Sequence, residues 1–202
     1  MSEVDRLKEL RRMDMETPAA HAARVFATRA AAAGLADVAY TTVDSPFGPL
    51  LVAATKRGLV RLAYPNEDPE RALQELASSV SPRILEAPGR LDELRRELED
   101  YFEGRRQRFE VPVDLALTRG FTRKVLQVTV RIPFGSVSTY RDVATRAGSP
   151  RASRAAGNAL GSNPIPIVVP CHRVVHTGGG LGGYTGGVQR KEFLLKLEGA
   201  LA

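Results

Sequence analysis

The alternation of hydrophobic and polar positions predicts a small β-sheet in the first half of the chain. Residues 38–43, 50–55 and 59–64 have the aliphatic and β-branched composition of strands, and short segments rich in turn formers separate them. Three short strands with tight connections are typical of an antiparallel meander. A further strand is expected over residues 109–113, ahead of a linker at residues 114–119.

Two helices are predicted between the third strand, at residues 59–64, and the fourth, at residues 109–113. Asp68 followed by Pro69 is an N-cap with proline at the first helical position, which opens a helix that extends to about residue 79. Leucine and aromatic residues recur at helical spacing over residues 90–102, and Gly104 ends that second helix. The first half of the chain therefore predicts a mixed α+β unit.

The second half has mainly helical patterns. Hydrophobic residues from Phe121 to Ile132 recur at helical spacing. Thr139 and Asp142 then form a capping-box pattern that opens a helix. Gly148 closes this helix. A short glycine turn between two helices is typical of a helix-turn-helix unit, although two short packed helices also occur in many other α domains.

The helix after Gly148 has two distinctive features. Ser149 followed by Pro150 is expected to cap its start. Small residues then cover much of its surface, and Arg154 rises from among them. Such a surface suits tight packing in a core, and it equally suits close approach to a DNA minor groove about 6 Å wide.

These patterns divide the chain into three parts within an α+β fold class. Residues 1–36 form a helical or flexible extension, residues 37–115 an N-terminal α+β domain, and residues 116–202 a C-terminal domain that is largely helical. A chain of 202 residues is long enough to bury a core in one or two domains.

Charge is distributed unevenly between the two halves. Residues 1–115 carry 17 Lys or Arg and 20 Asp or Glu, a net charge of −3, whereas residues 116–202 carry 12 against 3, a net charge of +9. Solvated arginines alone would explain some of this excess. A basic half beside a mildly acidic one is, however, more typical of a domain that binds nucleic acid.

Cysteine content and hydropathy exclude several classes of protein. The single cysteine excludes an internal disulfide bond and suits a reducing compartment. No stretch of about 18 apolar residues occurs, so no membrane-spanning segment is predicted. Residues 3–16 are charged and lack an apolar signal core, so the sequence predicts a cytoplasmic protein.

The only cysteine, Cys171, lies in the segment IPIVVPCHRVV at residues 165–175. Pro170 cannot donate a ladder hydrogen bond, so the thiol is expected on a tight bend. A free thiol has a pKa near 8.5 and is only a few per cent ionised at neutral pH, so the adjacent His172 is a candidate base. Alternatively, the cysteine is a small buried hydrophobic residue beside an incidental histidine.

A run of seven glycines in ten residues, GGGLGGYTGG, occupies residues 178–187. A disordered linker would have such a composition. The interruptions at Leu181, Tyr184 and Thr185 favour instead a loop whose backbone lies close to a ligand, because glycine permits close approach and positive φ.

Five motifs lie between residues 121 and 199, namely FTRKVLQ, IPFGSVSTYRDVA, RAAGNALGSNPIPIVVPCHRVV, GGLGGYTGG and KEFLLKLEG. Together they resemble those of the O6-alkylguanine-DNA alkyltransferases, the methylated-DNA–protein-cysteine methyltransferases. The PCHRV core with a preceding Asn-Pro and a following Tyr-x-Gly-Gly is very specific. A weaker resemblance around SPFGPLLVA begins near Val38.

The resemblance implies a fold and an activity. The N-terminal domain would be ribonuclease H-like with a small antiparallel sheet, and the C-terminal domain would be a winged helix-turn-helix. The protein would flip O6-alkylguanine out of double-stranded DNA and transfer the alkyl group irreversibly to Cys171, once per molecule. O4-alkylthymine is a second candidate substrate. The protein would act as a monomer, without a cofactor and without a membrane partner.

The resemblance also implies roles for individual residues. Cys171 attacks the alkyl carbon, His172 acts as base through a bound water, and Glu198 orients the imidazole. Asn163 ties the active-site turn to the DNA-binding helix, and Tyr140 contacts the target nucleotide and donates a proton to the leaving base. Two further sets are the base pocket, with Val174, Tyr184 and Thr185, and the DNA-binding surface, with Ser149, Arg151, Arg154, Ala155, Ala156 and Gly157.

The histidines outside the Cys171-His172 pair decide whether a metal site is expected. Some relatives bind zinc through cysteines and histidines of the N-terminal domain. Here only His21 lies outside the active region and there is no second cysteine, so no metal site is expected. His176 has no role in the motif and is expected at the surface.

Two other classes of function remain open. A winged-helix regulator or a lesion-binding relative would bind DNA without transferring a group, but such relatives lack the cysteine. A cysteine hydrolase would use Cys171, His172 and Glu198 on a small substrate. That hypothesis leaves the basic half, Arg154 and the glycine-rich loop unexplained.

Overall fold

The computed structural model describes residues 34–201 together with residues 22, 25, 29 and 30. The predicted extension, residues 1–36, therefore lies almost entirely outside the described residues. Within it, residues 22, 25, 29 and 30 are helical.

A four-stranded sheet forms the first unit, with strand order β3-β2-β1-β4. Its strands are β1 (Val38–Val43), β2 (Leu50–Thr55), β3 (Gly58–Ala63) and β4 (Ile84–Glu86). The pairs β1–β2 and β2–β3 are antiparallel, which confirms the predicted meander. The short strand β4 was not predicted, and it pairs parallel to β1.

The predicted strand at residues 109–113 is wrong. Its only pairing is an isolated parallel bridge between Leu59 and Val113. The segment instead crosses Gly58 so closely that a Cβ there would lie 2.1 Å from the carbonyl oxygen of Pro112. Glycine at this position, with φ of 131°, is therefore required for the segment to reach the sheet.

Helices α1 (Pro69–Ser79) and α2 (Asp92–Phe102) pack on the sheet unit. Asp68 is the N-cap of α1 as predicted, and its carboxylate accepts a hydrogen bond from the backbone of Glu70. Helix α2 begins two residues later than predicted, because residues Pro88–Leu91 form a separate 3₁₀ turn.

Four helices form the second unit: α3 (Gly120–Thr129), α4 (Tyr140–Arg146), α5 (Ser153–Gly161) and α6 (Val188–Leu197). The predicted capping box of α4 is confirmed, with both bonds between Thr139 and Asp142 present. A two-stranded parallel sheet of β5 (Ser138–Thr139) and β6 (Val174–Val175) lies beside these helices.

The predicted cap at Ser149 and Pro150 is wrong. The N–H of Ser149 donates to the carbonyl of Ala144, and its own carbonyl accepts from Ala152. Residues 149–152 therefore form a turn, and α5 begins only at Ser153 with Ala152 as its N-cap.

The two units share one hydrophobic core. Buried residues of the sheet unit, such as Leu50 and Tyr101, belong to the same cluster as Val125, Ile165 and Leu194 of the helical unit. Cys171 lies within this cluster. The segment that carries the thiol is therefore supported from both units.

Candidate functional site

The segment before Cys171 is buried and strongly bent. Every residue from 163 to 175 is buried. Ile167 has φ of 73°, a left-handed conformation that β-branched residues rarely adopt. The N–H of Val169 donates to the carbonyl of Ile165, and that of Cys171 donates to the carbonyl of Val169 at 2.8 Å. These bonds hold the thiol on a 3₁₀ turn, Cys171–Arg173, at the end of the bend.

Asn163 joins helix α5 to this bend through three hydrogen bonds. Its Nδ2 donates to the carbonyl of Val169 at 2.9 Å and to the Sγ of Cys171 at 3.2 Å. Its Oδ1 accepts from the N–H of Ile165 at 3.0 Å. The side chain therefore fixes the bend from inside and places an amide donor on the sulfur, where it stabilises a thiolate.

A cavity of about 630 Å³ opens beside the thiol, and we call it the thiol cavity. Helices α4 and α5 border it on one side and the glycine-rich loop, residues 178–187, borders it on the other. Its volume is within the range of pockets that hold small organic ligands. The predicted site residues that line it are Cys171, Tyr140, Tyr184, Thr185, Arg154 and Gly157.

Gly157 allows the ring of Tyr140 to pack against helix α5. A Cβ at this position would lie 3.7 Å from two carbon atoms of that ring. Arg154 lies one turn earlier on the same helix and is exposed. The side of the helix that faces the cavity therefore combines a small residue with a long cationic side chain.

Other predicted site residues lie away from the thiol cavity. Ala155 is exposed and Ala156 is buried on the far side of α5. Ser149 and Arg151 line a separate shallow depression at the turn before that helix. Val174 is fully buried.

Thr185 lines the cavity, but its hydroxyl already donates to a backbone carbonyl. The acceptor is Gly161 at the end of α5, at 2.9 Å. This bond ties the glycine-rich loop to the DNA-binding helix that the sequence predicts. The hydroxyl oxygen can still accept a hydrogen bond.

The carboxylate of Glu198 holds the imidazole of His172. Nε2 of His172 lies 2.8 Å from Oε1 of Glu198, and both side chains are fully buried. Arg173 donates to both oxygens of the same carboxylate, from Nε at 2.8 Å and from Nη2 at 2.9 Å. Its Nη1 also donates to the carbonyl of Ile132. Arg173 therefore holds the carboxylate in place rather than facing the cavity.

The protonation states of this network follow from burial and hydrogen bonding. Burial alone would raise the pKa of Glu198, but bonds from His172 and Arg173 outweigh it and lower this pKa to about 2. The carboxylate is therefore ionised and accepts a hydrogen bond from the N–H at Nε2 of His172. Burial lowers the pKa of His172, although Glu198 opposes that shift. The neutral imidazole thus carries its lone pair on Nδ1, a buried atom that has no hydrogen-bond partner within the described residues.

The thiol itself is held in its protonated form. Burial raises the pKa of Cys171 to about 11, while the amide of Asn163 and the ammonium of Lys191 oppose that shift. Attack by this sulfur at neutral pH therefore requires a base to take its proton.

Lys191 is a buried cation near the thiol that the sequence interpretation did not identify. It is fully buried, and its Nζ donates to the carbonyl of Val174 at 2.5 Å and to that of Leu181 in the glycine-rich loop. Burial lowers its pKa to about 8, and Cys171 opposes that shift. Helical spacing indicates its burial, because Lys191 lies on the face of α6 that buries Leu194 and Leu195, and the C-cap Glu198 continues that face.

The first unit reaches the cavity wall through a pair of tyrosines. The hydroxyl of Tyr64, at the end of β3, lies 2.7 Å from that of Tyr184. Gly186 makes this approach possible, because a Cβ there would lie 2.6 Å from the ring of Tyr64. The ring of Tyr184 also packs edge-on against His172, with centroids 6.4 Å apart.

His176 is exposed as predicted, but it also lines the thiol cavity. Its ring centroid lies 5.1 Å from that of Tyr140. It therefore belongs to the cavity entrance, a position that the motif did not indicate.

Acid should remove part of the stability that Glu198 provides. Its folded pKa of about 2 lies below the ordinary value of 4.5, so this contribution is complete above pH 4.5 and is lost as the pH falls towards 2. Above pH 4.5 the wild type should have a higher free energy of unfolding than Glu198→Gln. This difference should shrink by about 3 kcal/mol as the pH falls from 4.5 to 2. Denaturant titrations at successive pH values measure it.

The matched control for this prediction is Glu192→Gln on the same helix. Glu192 is partly exposed and pairs with Lys196 at 3.3 Å. Its substitution should leave the acid dependence of stability unchanged. A Glu198→Gln difference that stays constant from pH 5 to pH 2 would contradict the assignment of a buried carboxylate.

Within residues 34–201, no group of three or more His, Cys, Asp or Glu side chains could hold a metal ion. No helix of the described part is long and apolar enough to cross a membrane.

Two family models match the chain in succession. The ribonuclease-like domain of 6-O-methylguanine DNA methyltransferase matches residues 38–115, and the DNA-binding domain of the same family matches residues 120–200. The two matches together cover both structural units.

Individual relatives match over most of their lengths. A methylated-DNA–protein-cysteine methyltransferase of Mycobacterium bovis is 38% identical over 159 residues, which are 79% of this chain and 91% of the relative. One of Methanosarcina acetivorans is 40% identical over 161 residues, 80% of this chain and 98% of the relative. The crystal structure of Mycobacterium tuberculosis OGT in complex with DNA has 37% identity and a TM-score of 0.68, covering 80% of this chain and 93% of that one.

Proposed function

The chain belongs to the methylated-DNA–protein-cysteine methyltransferase family, and we propose that it repairs alkylated DNA by transferring the alkyl group of O6-alkylguanine to Cys171. One observation carries this proposal. The only thiol of the chain lines a cavity large enough for a nucleobase, beside a buried imidazole–carboxylate pair.

The helical unit supplies the surface for double-stranded DNA. Residues 116–202 carry the positive charge of the chain, and phosphate neutralisation by Lys and Arg supplies most of the affinity for DNA. Helix α5 presents Ala155 and Arg154 to solvent, and Arg154 lies at the edge of the thiol cavity. We propose that this helix enters the minor groove and that Ser149 and Arg151 contact the adjacent backbone.

A base within a duplex must leave the stack before Cys171 can reach it. In our proposal Arg154 fills the space that the flipped nucleotide leaves. The base enters the thiol cavity between Tyr140 and the glycine-rich loop, with Tyr184 as its flat wall. Thr185 and the carbonyls of Cys171 and Val174 bind its edge, and the carbonyl of Val174 does so while it also accepts from Lys191.

The transfer is a direct displacement at the alkyl carbon. The thiol proton passes to Nδ1 of His172 through a bridging water, and Glu198 stabilises the resulting imidazolium. A bond forms between Sγ and the carbon while the bond from that carbon to O6 breaks. The electron pair leaves with the guanine, which takes a proton from Tyr140. The product is a stable thioether, so each molecule reacts once.

A nonenzymatic lesion sensor and a cysteine hydrolase are the alternatives. A lesion sensor does not need a thiol, whereas here the side chains of Asn163, His172 and Lys191 orient or activate one. The second does not use Arg154 at the cavity edge or a basic helical unit. We also propose a cytoplasmic location, because a reactive thiol is preserved in a reducing compartment. We propose a monomeric state because one chain supplies every residue of the proposed site.

The expected result with DNA that contains O6-methylguanine is a gain of one methyl group on the protein. Intact mass spectrometry should show this gain on Cys171, in a stoichiometry of one, and the DNA should contain unmodified guanine afterwards. Unchanged mass with tight binding would support the sensor instead. Repeated turnover of a soluble substrate would support the hydrolase.

A further inference from the structure

A tyrosine of the sheet unit donates directly to the carboxylate that holds His172. Tyr101 lies in α2 and is fully buried, and its hydroxyl donates to Oε1 of Glu198 at 2.7 Å. The two residues are 97 positions apart in the sequence. The roles assigned above to Cys171, His172 and Glu198 do not use this hydroxyl.

Oε1 of Glu198 is the more crowded of the two carboxylate oxygens. It accepts from Tyr101 at 2.7 Å, from Nε2 of His172 at 2.8 Å and from Nη2 of Arg173 at 2.9 Å. Oε2 accepts only from Nε of Arg173 within the described residues. Each of the three donors stabilises and disperses the negative charge of one oxygen, so each reduces the charge that is left to stabilise the other two.

We propose that Tyr101 is a positioning residue for the transfer reaction, and that its hydroxyl limits how strongly Glu198 stabilises the imidazolium form of His172. This inference rests on the proposed function, because it assigns His172 as the base that takes the thiol proton. It adds to that function a contribution from the N-terminal unit, which acts on the proton transfer indirectly, through Glu198.

The hydroxyl matters because His172 must be neutral before it can accept a proton. A carboxylate that held the imidazole too strongly would keep it protonated at neutral pH and remove the base. Burial lowers the pKa of His172 and Glu198 raises it, so the balance between the two decides the charge. The titratable and charged groups around the imidazole are Glu198, Arg173, Lys191, Cys171, Tyr101 and Tyr184.

The hydroxyl can be removed without removing the ring that packs the core. The ring of Tyr101 contacts Phe102, Phe109 and Phe134, with centroids 5.4, 5.1 and 6.3 Å away. Phenylalanine keeps these contacts. Glu198 keeps its bonds to His172 and Arg173, so no buried charge is left without a partner.

The test is the pH dependence of methyl transfer by Tyr101→Phe under single-turnover conditions, with duplex DNA that contains O6-methylguanine. The midpoint of the rise in rate with pH should move up by about one unit, because Oε1 then stabilises the imidazolium more strongly. At pH values below the midpoint the rate should fall about tenfold. The imidazole titration of His172 in the free protein, followed by NMR, should move up by the same amount.

The matched control is Tyr40→Phe, which removes a hydroxyl from a half-buried tyrosine in another cluster of the sheet unit. Its pH midpoint should equal that of the wild type. If Tyr101→Phe lowers only the thermal midpoint and leaves both titrations in place, the hydroxyl is structural and the inference is overturned. A shift to lower pH overturns it as well.

The transfer assay and the NMR titration test the proposed function and this inference separately. Failure of the wild type to acquire a methyl group would refute the proposed function. The NMR titration needs no DNA and no transfer, so it reports on the link between Tyr101 and His172 in either case. Transfer by the wild type with an unmoved titration in Tyr101→Phe would refute the inference alone.

Discussion

The Cys171→Ala variant should transfer no alkyl group and should still bind duplex DNA. No other residue of the chain is a cysteine, so no second thiol can replace it. The proposed phosphate contacts lie on helix α5 and the turn before it, away from the sulfur. We expect complete loss of the mass gain on incubation with O6-methylguanine DNA, and a dissociation constant within about threefold of the wild type, which corresponds to less than about 1 kcal/mol.

Cys171 is also part of the core, so its substitution has a structural effect besides the loss of the thiol. Cys171 is 4% exposed and belongs to the shared hydrophobic cluster, so its removal also deletes buried volume. Val169→Ala is the matched control, because it deletes buried volume from the same bend and keeps the sulfur. It should lose about 1–3 kcal/mol of unfolding free energy and still acquire one methyl group. Loss of DNA binding in Cys171→Ala would assign a structural role to the residue.

Local patterns predicted those elements that local bonds determine. The capping box of α4 depends on Thr139 and Asp142, three positions apart, and the start of α1 depends on Asp68 and Pro69. The antiparallel meander likewise follows from adjacent strands with tight turns. In each case the residues that form the element lie within a few positions of one another, so the sequence pattern predicts the element.

Predictions failed where a distant segment supplies the partner. Residues 109–113 have strand composition, but the sheet leaves them only one bridge, at Val113. At Ser149 the competing bonds are local, because its N–H closes the end of the preceding helix on the carbonyl of Ala144 and the turn to Ala152 delays the start of α5 to Ser153. Composition indicates what a segment favours, and the available partners decide which element forms.

The candidate site shows the same division. Its chemistry could be predicted, since a single cysteine next to a histidine is visible in the sequence. The support from Tyr101 and Lys191 was not predicted, because Tyr101 reaches Glu198 across 97 positions and Lys191 reaches Val174 across 17. A buried lysine also contradicts the usual exposure of that residue type, so only the face it shares on α6 indicates its burial.

The Arg154→Ala variant should react with alkylated duplex DNA about 10- to 100-fold more slowly than the wild type, and with the free alkylated base at nearly the same rate. Arg154 is exposed in the first turn of α5 and lines the edge of the thiol cavity. Flipping a base costs a few kcal/mol, and a side chain that fills the vacated space recovers about 1–3 kcal/mol of lost stacking. The free base needs no such replacement. Single-turnover rates on the two substrates measure the difference.

Arg151→Ala is the matched control, because it removes the same charge from the turn just before the helix and does not line the thiol cavity. Loss of one phosphate contact should weaken duplex binding for all sequences alike and lower the slope of affinity against salt concentration by about one. The transfer rate at saturating DNA should change little. Equal slowing of Arg154→Ala on duplex and free base would mean that the arginine supports the pocket itself. Equal effects of the two arginine variants at saturation would reduce Arg154 to a phosphate contact, since charge alone would then explain both.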